Sequence, residues 1–209
     1  MEKKNKMETM HMQKLVINMS LPLIVSLLVQ SLYNIVDSIF VAKMSEEALT
    51  ATSLAFPVQM LMIAFSVGTS VGVNALLSKT LGARNRERAT KIANTSIMLA
   101  LINGAVFSLT GIFFAQKLAR SFTTVESTAA LCADYLSICM IFCFGNFIET
   151  MLQRFLQAAG NTVLSMCSLI AGAVTNIMLD PILIFGLLGF PALGIRGAAI
   201  ATVIGQWLG

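Results

Sequence analysis

Long apolar runs separated by short polar interruptions dominate the chain. They extend over 15–42, 48–78, 92–115, 129–152 and 163–185, and a sixth begins at Ile195. Each of the first five exceeds the roughly 20 residues that a helix needs to cross a hydrocarbon core. The pattern predicts an all-α membrane protein: a six-helix transmembrane bundle over 15–209, here spans 1 to 6, preceded by a polar segment over 1–14. Too few residues separate Gly194 from Gly209 for a full crossing, and no basic stop follows Trp207. The expectation is therefore a truncated sixth helix and a chain that is a fragment of a longer protein.

Composition agrees with the pattern: 56% of the residues are hydrophobic and 11% charged, and the mean hydropathy is +0.81, outside the range of a soluble domain. Charge then orients the bundle, because short cytoplasmic loops are enriched in Lys and Arg. Lys3, Lys4, Lys6, Lys14, Lys79, Arg84, Arg86, Arg88, Lys91 and Arg154 fall on one side, against Lys43, Lys117, Arg120 and Arg196 on the other. This predicts a multi-pass protein of the cell membrane with a cytoplasmic N-terminus. The net charge of +4 is thereby topological, so the expected partner is membrane lipid and not nucleic acid. The first apolar run is too long for a signal-peptide h-region. Cys132, Cys139, Cys143 and Cys167 sit at apolar helical positions without metal-ligand spacing, and read as small packing residues. His11 lies in the charged N-terminal segment.

The only long polar stretch, residues 78–91, reads as a cytoplasmic loop with Gly82 at a helix C-cap, Asn85 at an N-cap, and an amphipathic turn at the interface. Pro22, Pro57 and Pro181 fall within spans 1, 2 and 5 and are candidate kinks, since each removes a backbone donor. Pro191 shapes the glycine-rich turn before span 6.

Candidate chemistry lies in the few ionisable groups at membrane depth, because a carboxylate there costs at least about 2.5–3.5 kcal/mol on insertion scales. Asp134 and Glu149 in span 4 have an ordinary reading. Asp134 is near the outer end, and Glu149 lies five residues before Arg154 at the cytoplasmic end, where headgroup contact or local pairing suffices. Asp37 and Asp180 differ. Each stands six residues before the outer boundary of its span, Lys43 and Gly186, hence roughly 9 Å inside it, and the two can share one cavity. Tyr33 and Asn34 precede Asp37 by four and three residues, and Asn176 precedes Asp180 by four, so polar groups stack beside each carboxylate. Thr202, in the outer half of span 6, can add a hydroxyl. Two carboxylates in a low-dielectric pocket cannot both remain charged cheaply, so the pair takes up a proton or holds a cation. That is the chemistry of ion coupling; a purely structural polar knot is the competing reading.

The stretches LPLIVSLLVQSLYNIVDSIFV in span 1, VGVNALLSKTLGARNRERA across the second loop, LQAAGNT after span 4 and NIMLDPILIFG in span 5 together resemble the multidrug and toxic compound extrusion (MATE) transporters over residues 14–209. The resemblance implies the N-terminal lobe of a twelve-helix fold built from two six-helix lobes, with a C-terminal lobe as partner. It implies an antiporter, not an enzyme: inward flow of H⁺ or Na⁺ drives export of organic, cationic and amphipathic small molecules by alternating access, with no cofactor. Asp37, Tyr33, Asn176, Asp180 and Thr202 match the family's N-lobe cation site, with Na⁺ as alternative occupant of Asp37, Asn176, Asp180 and Thr202. Pro22 matches the proline that permits bending of helix 1, and Pro181 is a second hinge candidate. Where the family carries helix 4 asparagines this chain has Thr150 and Gln153. Gln153 and Gln157, with Asn34, are then the expected polar lining of the substrate cavity. Two other functions compete. A lipid or polysaccharide-precursor flippase would call for basic residues at mid-membrane depth, and none is there. An intramembrane aspartyl protease would use two aspartates, but the chain has no GxGD motif.

Overall fold

The computed structural model describes residues 11–209. Among them, seven α-helices account for nearly the whole fold: α1 Met12–Met44, α2 Glu46–Gly82, α3 Arg86–Phe122, α4 Glu126–Ile141, α5 Phe144–Ala158, α6 Thr162–Phe185 and α7 Ile195–Leu208, with a 3₁₀ turn at Leu187–Gly189. Four of them, α1, α2, α3 and α6, are each long and apolar enough to cross a membrane. A fifth crossing results if α4 and α5, which meet at a 48° bend, are taken as one span, and α7 occupies the apolar run that begins at Ile195. Lys3, Lys4 and Lys6, and most of the 1–14 segment, lie outside the described residues.

The helices run beyond the apolar stretches because local caps, and not hydropathy, end them. Ser45 separates α1 from α2 and its Oγ accepts from Ala48 N at 3.0 Å, with Glu46 and Glu47 in the first turn, where carboxylates favour the helix dipole. Asn85 caps α3 through Arg88 N and Asn161 caps α6 through Leu164 N. No separate interfacial element occupies residues 78–91. Instead α2 continues to Gly82, and α3 begins after a three-residue turn in which Arg84 has φ +55. Gly186, at φ +74, ends α6 in the left-handed conformation, with Ala192 N only 2.7 Å from where its Cβ would stand. That turn folds back so that Leu193 N and Gly194 N donate to Leu183 O and Ile184 O.

Each proline-bearing helix runs unbroken through Pro22, Pro57 or Pro181. The break comes where no proline is found, at Phe142–Cys143, and Cys143 Sγ donates there to Gly104 O at 3.4 Å. Several hydroxyls at membrane depth are satisfied within their own helices: Ser26, Thr52, Thr69, Ser96 and Thr110 each donate to a carbonyl about one turn earlier, the usual arrangement where water is absent.

The core forms layers along the bundle. Near the expected outer end, small residues (Ala48, Ala51, Ala55, Ala115, Ala119, Ala198, Ala199) surround Tyr135, Leu136 and Cys139. Midway, Met62, Phe107, Met140, Phe147 and Met151 interlock. Leu77, Ala89 and Ala158 close the other end. Cys132, Cys139 and Cys143 are buried packing residues, whereas Cys167 is exposed. Large exposed apolar residues along α1 and α3, such as Leu21, Leu28, Ile102 and Phe113, give the surface a lipid-compatible skin. The chain is a multi-pass membrane protein.

Candidate functional site

Two helices bring the aspartates together. α1 and α6 lie side by side, and α7 folds back against α6 through the Gly186–Gly194 turn. The approach of α7 depends on two glycines without side chains. A Cβ on Gly172 would stand 2.7 Å from Gly205 O, and one on Gly205 would stand 2.9 Å from Gly172 O and 3.1 Å from Asn176 Cβ. This contact seats Thr202 beside Asn176, whose Nδ2 donates to Thr202 Oγ1 at 3.4 Å, while the threonine hydroxyl donates to Ala198 O at 3.0 Å.

Asp180 is fully buried, Asn176 and Thr202 nearly so, and Asp37 is half-buried. The Asp37 and Asp180 carboxyls meet side chain to side chain. Two ionised carboxylates are both acceptors and cannot donate to each other. Accordingly Asp37 Oδ1 and both Asp180 oxygens lack a hydrogen-bond donor among the described residues, as does Asn176 Oδ1. Buried acceptors of this kind are costly unless something positive or protonated completes them. Three unpartnered oxygens of two facing carboxylates, with the Asn176 amide one helical turn from Asp180 and the Thr202 hydroxyl beside that amide, offer hard ligands that suit a proton or a small hard cation.

Tyr33 reaches the Thr202 side chain and stands one turn before Asp37 on α1. The structure adds residues that sequence reasoning missed. Tyr135 and Cys139 on α4 lie close enough to Asp37 to interact with its charge, and Gln59 on α2 donates its Nε2 to Tyr135 Oη at 3.2 Å. The bridge spans 76 positions of sequence, and neither residue carries a charge to announce it.

Three polar residues expected to line the substrate cavity, Asn34, Gln153 and Gln157, are separate from the aspartate pair. Asn34 is exposed and lines an open groove of about 390 Å³ with Ile35, Ser38, Ile39, Ala42 and Leu49, turned away from the aspartate pair. Gln153 donates to Glu149 Oε1 at 2.9 Å. Gln157 is buried near the other end, donating to Ser165 Oγ at 3.0 Å and accepting from Arg154 Nη1 at 2.7 Å. Asp134 forms its local pair, accepting from Arg196 Nε and Nη2 at 3.0 Å each. Glu149 does not pair with Arg154, which is committed to Gln157. Five residues correspond to about 500° of helical rotation, so the two side chains point roughly 140° apart. Pro22 lies well along α1 from the site, with its carbonyl accepting from Ser26 Oγ; Pro181 directly follows Asp180.

Comparison with known proteins agrees with the resemblance read from the motifs. The MatE family model matches residues 22–182. The chain is 34% identical over 187 residues to the Probable multidrug resistance protein YoeA of Bacillus subtilis, covering 88% of this chain and 40% of that protein. It is 30% identical over 198 residues to the FAD transporter of Shewanella oneidensis, covering 93% of this chain and 43% of that one. Among solved structures it superposes on the outward-facing conformation of a multidrug resistance MATE family transporter of the MOP superfamily with a TM-score of 0.90, at 30% identity, over 98% of this chain and 44% of that one. The chain thus spans less than half the length of the relatives it matches, and over that length it belongs to the MatE family of multidrug and toxic compound extrusion transporters.

Proposed function

We propose that residues 15–209 are the N-terminal lobe of a cation-coupled antiporter of the cell membrane, with its N-terminus in the cytoplasm, that exports organic cations. The observation that carries this reading is the buried Asp37–Asp180 pair, whose oxygens face one another without a donor. A proton shared between the carboxyls, or a Na⁺ held by Asp37, Asp180, Asn176 and Thr202, would satisfy those oxygens together. Uptake of the ion cancels one of the two facing negative charges, which removes their mutual repulsion and lets α1 and α6 close on it. Loss of the ion restores two facing negative charges, which repel in a low-dielectric interior and favour a different arrangement of the same helices. An exchanger needs this sensitivity: ion and cargo favour different states, so binding of one promotes release of the other. Tyr33 and Tyr135, held by Gln59, would fix the carboxyl orientations, and Pro22 and Pro181 would supply the bending.

Cargo is the less constrained half of the proposal. The B. subtilis relative is named for multidrug resistance and the S. oneidensis relative for FAD. Family membership argues for transport and against peptide cleavage, and no observation in the structure favours a flippase.

The test is efflux by the full-length protein reconstituted in liposomes, with H⁺ and Na⁺ gradients imposed separately. An inwardly directed gradient of one ion should drive export of a fluorescent organic cation. No export with either gradient would overturn the proposal.

A further inference from the structure

The aspartate pair leaves one carboxylate at membrane depth unexplained. Glu149 lies nine residues before the end of α5 at Ala158. A Cβ on Gly209 would stand 2.6 Å from Glu149 Oε1, and a Cβ on Gly172, ten residues into α6, would stand 3.2 Å from Gly209 Cα. At 1.5 Å per residue both routes place Glu149 roughly 14 Å from that end of the bundle, near the middle of the hydrocarbon core. Asp180 is eight residues beyond Gly172 on α6, so the glutamate stands roughly 12 Å inward of the aspartate pair. Its nearest basic neighbour in sequence, Arg154, donates to Gln157 on another face of the helix. The only donor to Glu149 among the described residues is the neutral Gln153 amide.

The surroundings of Glu149 are not those of a chance polar contact. α5 is two-faced within the membrane. Phe147 and Met151 enter the midway core with Met62, Phe107 and Met140, whereas Asn146, Glu149, Thr150, Gln153 and Gln157 follow the 3- and 4-residue spacing of the opposite stripe. Asn146 Nδ2 on that stripe is buried and has no acceptor among the described residues. One turn before Glu149, the missing side chain of Gly145 makes room for Trp207 of α7, whose Nε1 and Cδ1 stand 2.9 Å from where a Cβ would be. Glu149 Oε1 faces α7 on the next turn, 2.6 Å from the corresponding position on Gly209. A carboxylate without a cationic partner among the described residues and an indole, one turn apart on the same seam, together offer charge and a π-face.

We infer that Glu149 and Trp207 form a recognition point for the charged centre of a lipophilic organic cation, separate from the aspartate pair, and that Glu149 sets the charge selectivity of the transporter. This rests on the transport reading above and names the residue that would select cargo by sign. Glu149 would supply the counter-charge for the bound cation. Gln153 holds the carboxylate toward α7. An anionic cargo would meet repulsion at the same point.

The experiment uses two probes of nearly equal shape and opposite sign, tetraphenylphosphonium and tetraphenylborate, in equilibrium binding to the purified full-length transporter. Wild type should prefer the phosphonium. Glu149→Gln, which keeps the volume and the acceptor for Gln153, should lower the ratio of the two affinities by about ten-fold or more, and Glu149→Asp should retain the preference. A ratio within about two-fold of wild type in Glu149→Gln would overturn the inference. A second readout needs no variant. Tetraphenylphosphonium, but not tetraphenylborate, should slow labelling of Glu149 by a hydrophobic carbodiimide, followed by peptide mass spectrometry. Equal labelling with both probes would also overturn it. Failure of gradient-driven efflux in wild type would sink the antiporter proposal instead, so the two failures are distinguishable.

Discussion

Asp180→Asn in the full-length transporter lowers ion-driven efflux by about 100-fold or more, the upper part of the range for coupling between two binding sites, while the protein still inserts and folds. The asparagine has nearly the volume of the aspartate, so the close packing of α6 and α7 survives. What disappears is the second negative charge in a fully buried position, and with it both the affinity for a coupling ion and the repulsion that distinguishes the ion-free state. Asp37→Asn should cost a similar amount. The double variant should be little worse than either single one, because two groups that hold one ion act as a unit and their losses do not add. Initial efflux rates at matched protein content check this. A single variant with wild-type ion dependence would show that the pair is only a polar knot within the fold.

Gly172→Val destabilises the lobe by about 1–3 kcal/mol, the usual cost of forcing extra atoms into a close-packed contact. The Cβ would stand 2.7 Å from Gly205 O and 3.2 Å from Gly209 Cα. These neighbours are backbone, not flexible side-chain ends, so relief requires α7 to move away from α6. That movement would also separate Asn176 from Thr202, whose hydrogen bond is already long at 3.4 Å. Thermal unfolding of the purified transporter should show a midpoint several degrees lower, and ion-dependent efflux should fall with it. An unchanged midpoint would mean that the α6–α7 seam does not determine the packing of the lobe.

The parts of this molecule legible in its sequence are those that a single residue announces. A run of apolar residues specifies a span, and a charge within it is conspicuous, so the spans and the Asp37–Asp180 pair could be read from spacing and depth. Relationships across helices were less accessible. Tyr135 and Gln59 are uncharged residues in apolar helices, and only three-dimensional packing shows that they meet. Asn34 was placed on the face of Asp37 because three-residue neighbours adjoin on a helix, yet the small rotation between them suffices to turn Asn34 outward. The bend at Phe142–Cys143 has no proline to mark it, while three prolines sit in unbroken helices. The partner of Glu149 was hidden for a related reason: Arg154 is close in sequence, but five residues carry it to a different side of α5, and Gln153 pairs with the carboxylate instead.

The central claim is that the facing carboxyls of Asp37 and Asp180 hold the coupling ion, and ion release measures it most directly. Titrating the ion-loaded full-length transporter with an organic cation in lightly buffered solution, with a pH indicator and radioactive Na⁺ in parallel, should displace one of the two ions from wild type and neither from Asp37→Asn/Asp180→Asn. Equal displacement from the double variant, with the organic cation still bound, would contradict the account.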